Sequence, residues 1–190
     1  MQVSTNGKLG QLPGEHTMAS LEDFKREIGG LALEQFVKQY AYPFLLVGGI
    51  SESERMFEEF GTSDDMPITI QMPQLVTQWI LKEKSIFPIK KKGRGSAFSF
   101  VSIGRSRTND IVLNVGAISK LHAVIQKVGE AHTLMDSGSR NGTFVNGIPL
   151  DANKPVLLND GDLISFASVI PARFLGSASL FQWVQQELTD

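Results

Sequence analysis

An antiparallel β-sandwich is the fold that residues 86–176 predict, on three observations. Ten short apolar segments recur at close intervals, namely SIFPIK, AFSFVSIG, DIVL, HAVIQKVG, HTLMD, TFVN, IPL, PVLL, DLISFAS and PARFLG. Turn-forming clusters stand between them, among them Lys92-Gly93-Arg94-Gly95, Gly129-Glu130 and Asn159-Asp160-Gly161-Asp162, so the apolar runs end where the chain can reverse. Asn146-Gly147 suits a two-residue type I′ hairpin, which needs positive φ at both central residues. Short strands joined in this way fit two packed sheets.

The chain before this region has a different texture. Residues 1–19 hold Gly, Pro, Ser and Asn without an apolar period and are expected to form a disordered tail. From Leu21 the apolar residues Leu21, Phe24, Ile28, Leu31, Phe36, Val37 and Tyr40 keep a mostly three-or-four spacing, which predicts helix interrupted at Gly29-Gly30. Pro43 closes that stretch, and FLLVGGI reads as a buried strand. Ser51 and Glu54 have capping-box spacing for a short helix running to Phe60, and GTSDD follows as an acidic turn. PITIQM alternates as a strand does, and PQLVTQWILKEK suits helix better than strand. The predicted organisation is therefore a tail (1–19), a small α+β unit (20–85), the sandwich (86–176) and a C-terminal helix (177–190), the last with Leu180, Phe181, Val184 and Leu188 on one face.

Composition narrows the function classes. The 190 residues are 42% hydrophobic, enough for a real core. No apolar run reaches the length of a membrane span and the first residues lack a secretory pattern, so a cytoplasmic protein is expected. There is no cysteine, and His16, His122 and His132 are scattered, so neither a metal nor another cofactor is expected. Asp160 and Asp162 in NDGD lack the remaining ligands of a calcium loop and read as a turn. The formal charge of −2 divides unevenly: residues 1–85 carry 7 Lys/Arg against 12 Asp/Glu, and residues 86–176 carry 11 against 6. A basic sandwich beside an acidic segment suits an anionic ligand. Its basic residues are dispersed among loops, which does not fit a nucleic-acid face.

The loops suggest what that anion is. GRS at 104–106, SKLH at 119–122 and SRNGT at 139–143 would present Arg105, Ser119, Arg140 and Asn141 from one rigid scaffold. Arginine is a planar fork of donors matched to phosphate oxygens, serine adds a hydroxyl, and asparagine offers the donor and acceptor that a peptide backbone requires. No nucleophile and base share a spacing here, so no enzyme activity is expected.

GRSRTNDIVL, ISKLHAVI, MDSGSRNGTFVNG and LNDGDLISFAS, in this order and spacing, resemble the forkhead-associated (FHA) domain of bacterial type, here with an N-terminal extension. The resemblance covers about half of the chain. It implies a mainly β sandwich of about eleven strands whose apical loops bind phosphothreonine in a partner protein, written by a Ser/Thr kinase. By the same carry-over Arg105 and Ser119 hold the phosphate and Asn141 bonds the peptide backbone. Gly104, His122 and Gly142 shape the loops, and Asn146 ties one of them in place. Lys120 and Arg140 depart from residues common in the family, and both add positive charge as further contacts. The apolar Asn114–Ile118 segment points to an aliphatic residue three positions after the phosphothreonine. A phosphate-independent scaffold is the alternative. One further expectation concerns the chain itself: Thr62, in the acidic run EEFGTSDD, once phosphorylated, would be a ligand for the chain's own pocket.

Overall fold

A computed structural model describes residues 19–48, 84–91 and 100–187. The tail up to residue 18, the expected elements between Ser51 and Lys84, Thr62 and the Lys92–Gly95 turn lie outside the described residues. Twelve strands and three helices are described. They run, in order, β1 (Ala19–Ser20), α1 (Leu21–Ile28), α2 (Leu33–Gln39), β2 (Phe44–Val47), β3 (Ser85–Pro88), β4 (Phe100–Gly104), β5 (Ile111–Val112), β6 (Ala123–Val128), β7 (Ala131–Asp136), β8 (Thr143–Val145), β9 (Ile148–Pro149), β10 (Val156–Leu158), β11 (Leu163–Phe166), β12 (Ile170–Leu175) and α3 (Ser177–Gln186).

The strands form two sheets, one of seven in the order β1-β3-β2-β12-β11-β8-β9 and one of five in the order β10-β7-β6-β4-β5. The protein is therefore mainly β and a sandwich, as the sequence predicts. One pair departs from the antiparallel expectation: β5 runs parallel to β4, with Ile103 opposite Ile111. Asn146 and Gly147, with φ of 51° and 78°, close the β8–β9 hairpin in the left-handed geometry that the Asn-Gly pair predicts.

Alternation along the strands fills the space between the sheets. Leu45, Phe87, Ala172, Phe174, Ile164 and Phe166 of the seven-stranded sheet meet Ile103, Ile125, Leu134 and Leu158 of the other in one apolar core. The opposite face of the seven-stranded sheet is also covered. Phe44, Leu46, Ile86 and Leu175 point the other way and pack with Phe24, Ile28, Phe36, Leu180, Phe181 and Val184 from the three helices. Phe36 meets Phe24 edge to face at a centroid distance of 6.0 Å and Phe181 at 5.2 Å, a favoured aromatic arrangement. Tyr40 donates to Glu27 Oε1 at 2.6 Å. Burial, followed by that hydrogen bond to the carboxylate, pushes the Tyr40 phenol well above its ordinary pKa. Lys25 Nζ donates to the Glu187 carbonyl at 3.0 Å and Lys84 Nζ pairs with the Glu187 carboxylate at 2.7 Å, which ties the end of α3 to the N-terminal region.

This layer corrects the division expected at residue 85. β2, from the 20–85 segment, lies inside the sandwich sheet, with Leu45 opposite Phe87 of β3 and Phe174 of β12. All four of its residues are buried. FLLV is apolar on both faces of the strand, so it needs a position covered from both sides. The extension accordingly supplies an internal strand and the helices that cover it, and it is continuous with the sandwich.

The NDGD turn uses both of its aspartates structurally. Asp160 accepts from the Gly176 N–H at 2.8 Å and from the Ser179 hydroxyl, capping the start of α3 from another loop. Asp162 accepts from the Asn159 N–H at 2.7 Å and from the Asn146 amide at 2.9 Å. Among the described residues no cluster of three or more His, Cys, Asp or Glu side chains could hold a metal ion, and no helix is long and apolar enough to cross a membrane.

Candidate functional site

Three loops meet at one end of the sandwich, and glycine permits their closeness. Gly104 ends β4 against the 119–121 segment. A Cβ built on it would lie 2.5 Å from the Lys120 carbonyl, 2.8 Å from the Asn109 amide nitrogen and 3.0 Å from Leu121 Cα. Only a residue without a side chain fits that approach. The closeness is then used: Arg105 N–H donates to Ser119 O at 2.9 Å and Ser106 N–H to Lys120 O at 3.2 Å. The Asn109 amide donates to Ser106 O at 2.8 Å and to Lys120 O at 2.6 Å.

The third loop joins through His122, which has no exposure to solvent. Its Nδ1 lies 3.2 Å from the Ser119 N–H and must accept from it. The proton of the neutral ring is thereby placed on Nε2, which donates to Gly142 O at 3.0 Å. Burial pushes its pKa below the ordinary histidine value, although the Gly142 bond and the Asp136 carboxylate act in the opposite sense. His122 is thus a neutral brace between two loops. Asp136 anchors the same loop by accepting from the Ser139 N–H and hydroxyl and from the Thr143 hydroxyl. Burial raises its carboxyl pKa, and those hydrogen bonds outweigh burial and hold it below the usual range.

The expected contact residues are brought together on this frame. Arg105 is exposed, and its Nε donates to Ile118 O at 3.2 Å, which leaves both terminal nitrogens without a partner among the described residues. Ser119 Oγ accepts from the Arg140 N–H at 3.0 Å, so its own hydroxyl hydrogen is available to a ligand. Asn141 donates one amide hydrogen to Ala117 O at 2.8 Å and keeps its oxygen and second hydrogen. Arg140 and Lys120 are exposed, Lys120 following Ser119 in the chain and Arg140 bonded to it through its N–H. No ion pair among the described residues engages Arg105, Arg107, Lys120 or Arg140. The ion pairs lie elsewhere, and Asp110 near this end is committed to Lys91. The result is a donor-rich, uncompensated cationic surface, suited to an anion.

Asn146 sits elsewhere. It lies at the far end of β8 from Gly142 and holds the NDGD turn through Asp162 and the Leu163 N–H, so the loop it ties is at the opposite end of the sandwich. Gly142, with φ of 76°, is where only glycine turns easily into β8. Two residues beyond those singled out in the sequence matter here. Asn109 is the buried clamp between two loops, and a polar residue closing a Ser-Arg-Thr-Asn run, where a side chain can satisfy nearby carbonyls, is its only sequence signal. Arg107 is a further exposed cation, written in the same GRSR run.

A β-sandwich that braces a cationic, hydrogen-bond-donating surface on its apical loops belongs to the class of loop-based recognition modules. Comparison with known proteins makes this more specific: residues 101–167 match the family model of the FHA domain. The chain is 39% identical over 69 residues to an ABC transporter ATP-binding/permease protein of Mycobacterium tuberculosis, covering 36% of this chain and 8% of that protein. It is 31% identical over 90 residues to the oxoglutarate dehydrogenase inhibitor of Corynebacterium jeikeium, covering 44% of this chain and 60% of that protein. The aligned parts thus span less than two thirds of these relatives. Among solved structures, Mycobacterium tuberculosis EmbR in complex with a low-affinity phosphopeptide is similar, with 31% identity, a TM-score of 0.41, and coverage of 47% of this chain and 21% of that one. The MEK1 FHA domain in complex with a HOP1 peptide has 28% identity and a TM-score of 0.40, covering 48% and 87%.

Proposed function

We propose that this chain is a phosphothreonine-dependent protein-binding module that works as an adaptor downstream of a Ser/Thr kinase and carries no enzymatic activity of its own. The observation that carries the reading is the Arg105–Ser119–Asn141 arrangement, in which each side chain spends one group on the neighbouring loop and keeps another for a ligand. Arg105 and Ser119 grip phosphate oxygens, Asn141 bonds the peptide backbone, and Arg140 and Lys120 add charge at the rim. Each charge-assisted bond contributes about 1.5–3 kcal/mol, so a few of them discriminate phosphorylated from unmodified threonine.

One ligand source is the chain itself. The segment 49–83, which contains Thr62, joins β2 to β3, and Gly48 bonds Pro171 beside the Ile170–Phe166 pair. β11 continues that row to Thr143, so β2 ends at the end of the sheet that carries the loops. Three strand spacings, about 15 Å, separate Gly48 from Gly142, within reach of a phosphorylated Thr62.

The test is an oriented phosphothreonine-peptide library presented to the full chain and to Arg105→Ala. Selective retention of phosphorylated peptides by the wild type, lost in the variant, supports the reading. Equal retention of phosphorylated and unphosphorylated peptides refutes it in favour of a phosphate-independent scaffold.

A further inference from the structure

The phosphate site as proposed uses Arg105, Ser119 and Asn141, with Arg140 and Lys120 adding charge at its rim where Lys120 also borders the neighbouring loop, and leaves an exposed cation, Arg107, without a role. Its position is specific. Arg107 lies at the tip of the 105–109 loop, between Ser106 and Thr108, whose hydroxyls bond each other at 2.9 Å. The loop is held from beneath against the Lys120 backbone: Ser106 N–H and the buried Asn109 amide both donate to Lys120 O, at 3.2 and 2.6 Å. Arg107 and Lys120 are therefore carried by two backbone segments in direct contact, and both side chains are exposed. Neither forms an ion pair within the described residues. Two like charges on touching loops repel one another and lower stability unless a counter-charge arrives. A rigid base beneath them means that little ordering is needed when it does.

We infer that Arg107 and Lys120 form a second anion subsite beside the phosphothreonine site, which reads an acidic or phosphorylated side chain on the same peptide. The inference rests on the phosphothreonine reading above and adds a specificity to it. The preferred partner sequence carries two anionic groups at a fixed separation, one gripped by Arg105 and Ser119 and the other by the Arg107–Lys120 pair. A carboxylate and a second phosphate are both suitable, since an arginine fork donates to the oxygens of either. The phosphate, with nearly two charges, is the stronger of the two. The preference is also salt-sensitive, because both cations face water.

The experiment uses the full chain and fluorescence anisotropy with fluorescein-labelled peptides. One peptide has a single phosphothreonine flanked by alanines. A second series places one aspartate at each flanking position in turn, and a third places a second phosphothreonine there. The readout is the ratio of each affinity to that of the singly phosphorylated alanine peptide. At one position or two neighbouring ones the ratio is expected to rise about fivefold with aspartate and further with phosphate. In Arg107→Gln, and separately in Lys120→Gln, the ratio is expected to fall towards one. Both residues are exposed, so both variants should keep the wild-type melting transition, which is checked alongside. A ratio near one at every position, or a gain that survives in both variants, overturns the inference while leaving the phosphothreonine site intact. Arg105→Ala separates the two: if it leaves binding of the singly phosphorylated peptide unchanged, the first site itself is wrong.

Discussion

Replacing Gly104 by alanine is the most incisive test of how the loops are held. The added Cβ would sit 2.5 Å from the Lys120 carbonyl and 3.0 Å from Leu121 Cα, where ordinary contact starts at 3.4 Å. The obstacles include backbone, which no side-chain rotation can remove, so the two loops must part by about 0.9 Å, the difference between 3.4 and 2.5 Å. The Arg105–Ser119 and Ser106–Lys120 bonds, at 2.9 and 3.2 Å, would then exceed hydrogen-bonding range, and the Asn109 bond to Lys120 would weaken with them. Two bonds lost and a third weakened, at about 1 kcal/mol each, give a loss of about 2–3 kcal/mol, within the usual cost of a forced fit. Gly116→Ala is the matched control on a neighbouring loop, since its Cβ would meet nothing within 4 Å, and it should stay within about 0.5 kcal/mol of wild type. Urea denaturation of the three full-length proteins measures the difference. Equal midpoints for Gly104→Ala and Gly116→Ala would refute the claim that close loop approach stabilises this end of the molecule.

Other perturbations test the remaining structure. Burial lowers the pKa of both His122 and His132, so the unfolded chain binds more protons below about pH 6.5. Stability should be full above that value and fall as the pH drops below it towards the lowered folded values, and a flat urea midpoint across this range would contradict the assignment. The lowered Asp136 carboxyl acts at more acid pH, its contribution being present above about pH 4 and lost as the pH falls through its folded value. Phe36→Ala removes a fully buried ring from the helix layer and should cost about 3–5 kcal/mol in chemical denaturation. A fragment comprising residues 84–190 lacks β2 and leaves β3 and β12 unpaired along their shared neighbour. It should show no cooperative thermal transition, and a cooperative one would show that the extension is dispensable.

Much of the fold and site was set by local chemistry alone. Strand positions followed from alternation of apolar residues between turn clusters, the β8–β9 turn from the φ demands of Asn146-Gly147, and the break between α1 and α2 from Gly29-Gly30. These are properties of neighbouring residues and need no knowledge of what lies opposite. The GRS, SKLH and SRNGT motifs likewise place Arg105, Ser119, Arg140 and Asn141 on loops. Pairing partners could not be read in the same way, because a strand apolar on both faces, such as FLLV, states only that it is buried. Its place between β3 and β12, and hence the merging of the extension with the sandwich, was decided by which apolar surfaces were left uncovered once the chain collapsed. The roles of His122 and Asn109 were decided there too: each bonds main-chain groups from other loops, 11 to 20 residues away, and a contact over such a separation exists only after the sheets have brought the loops together.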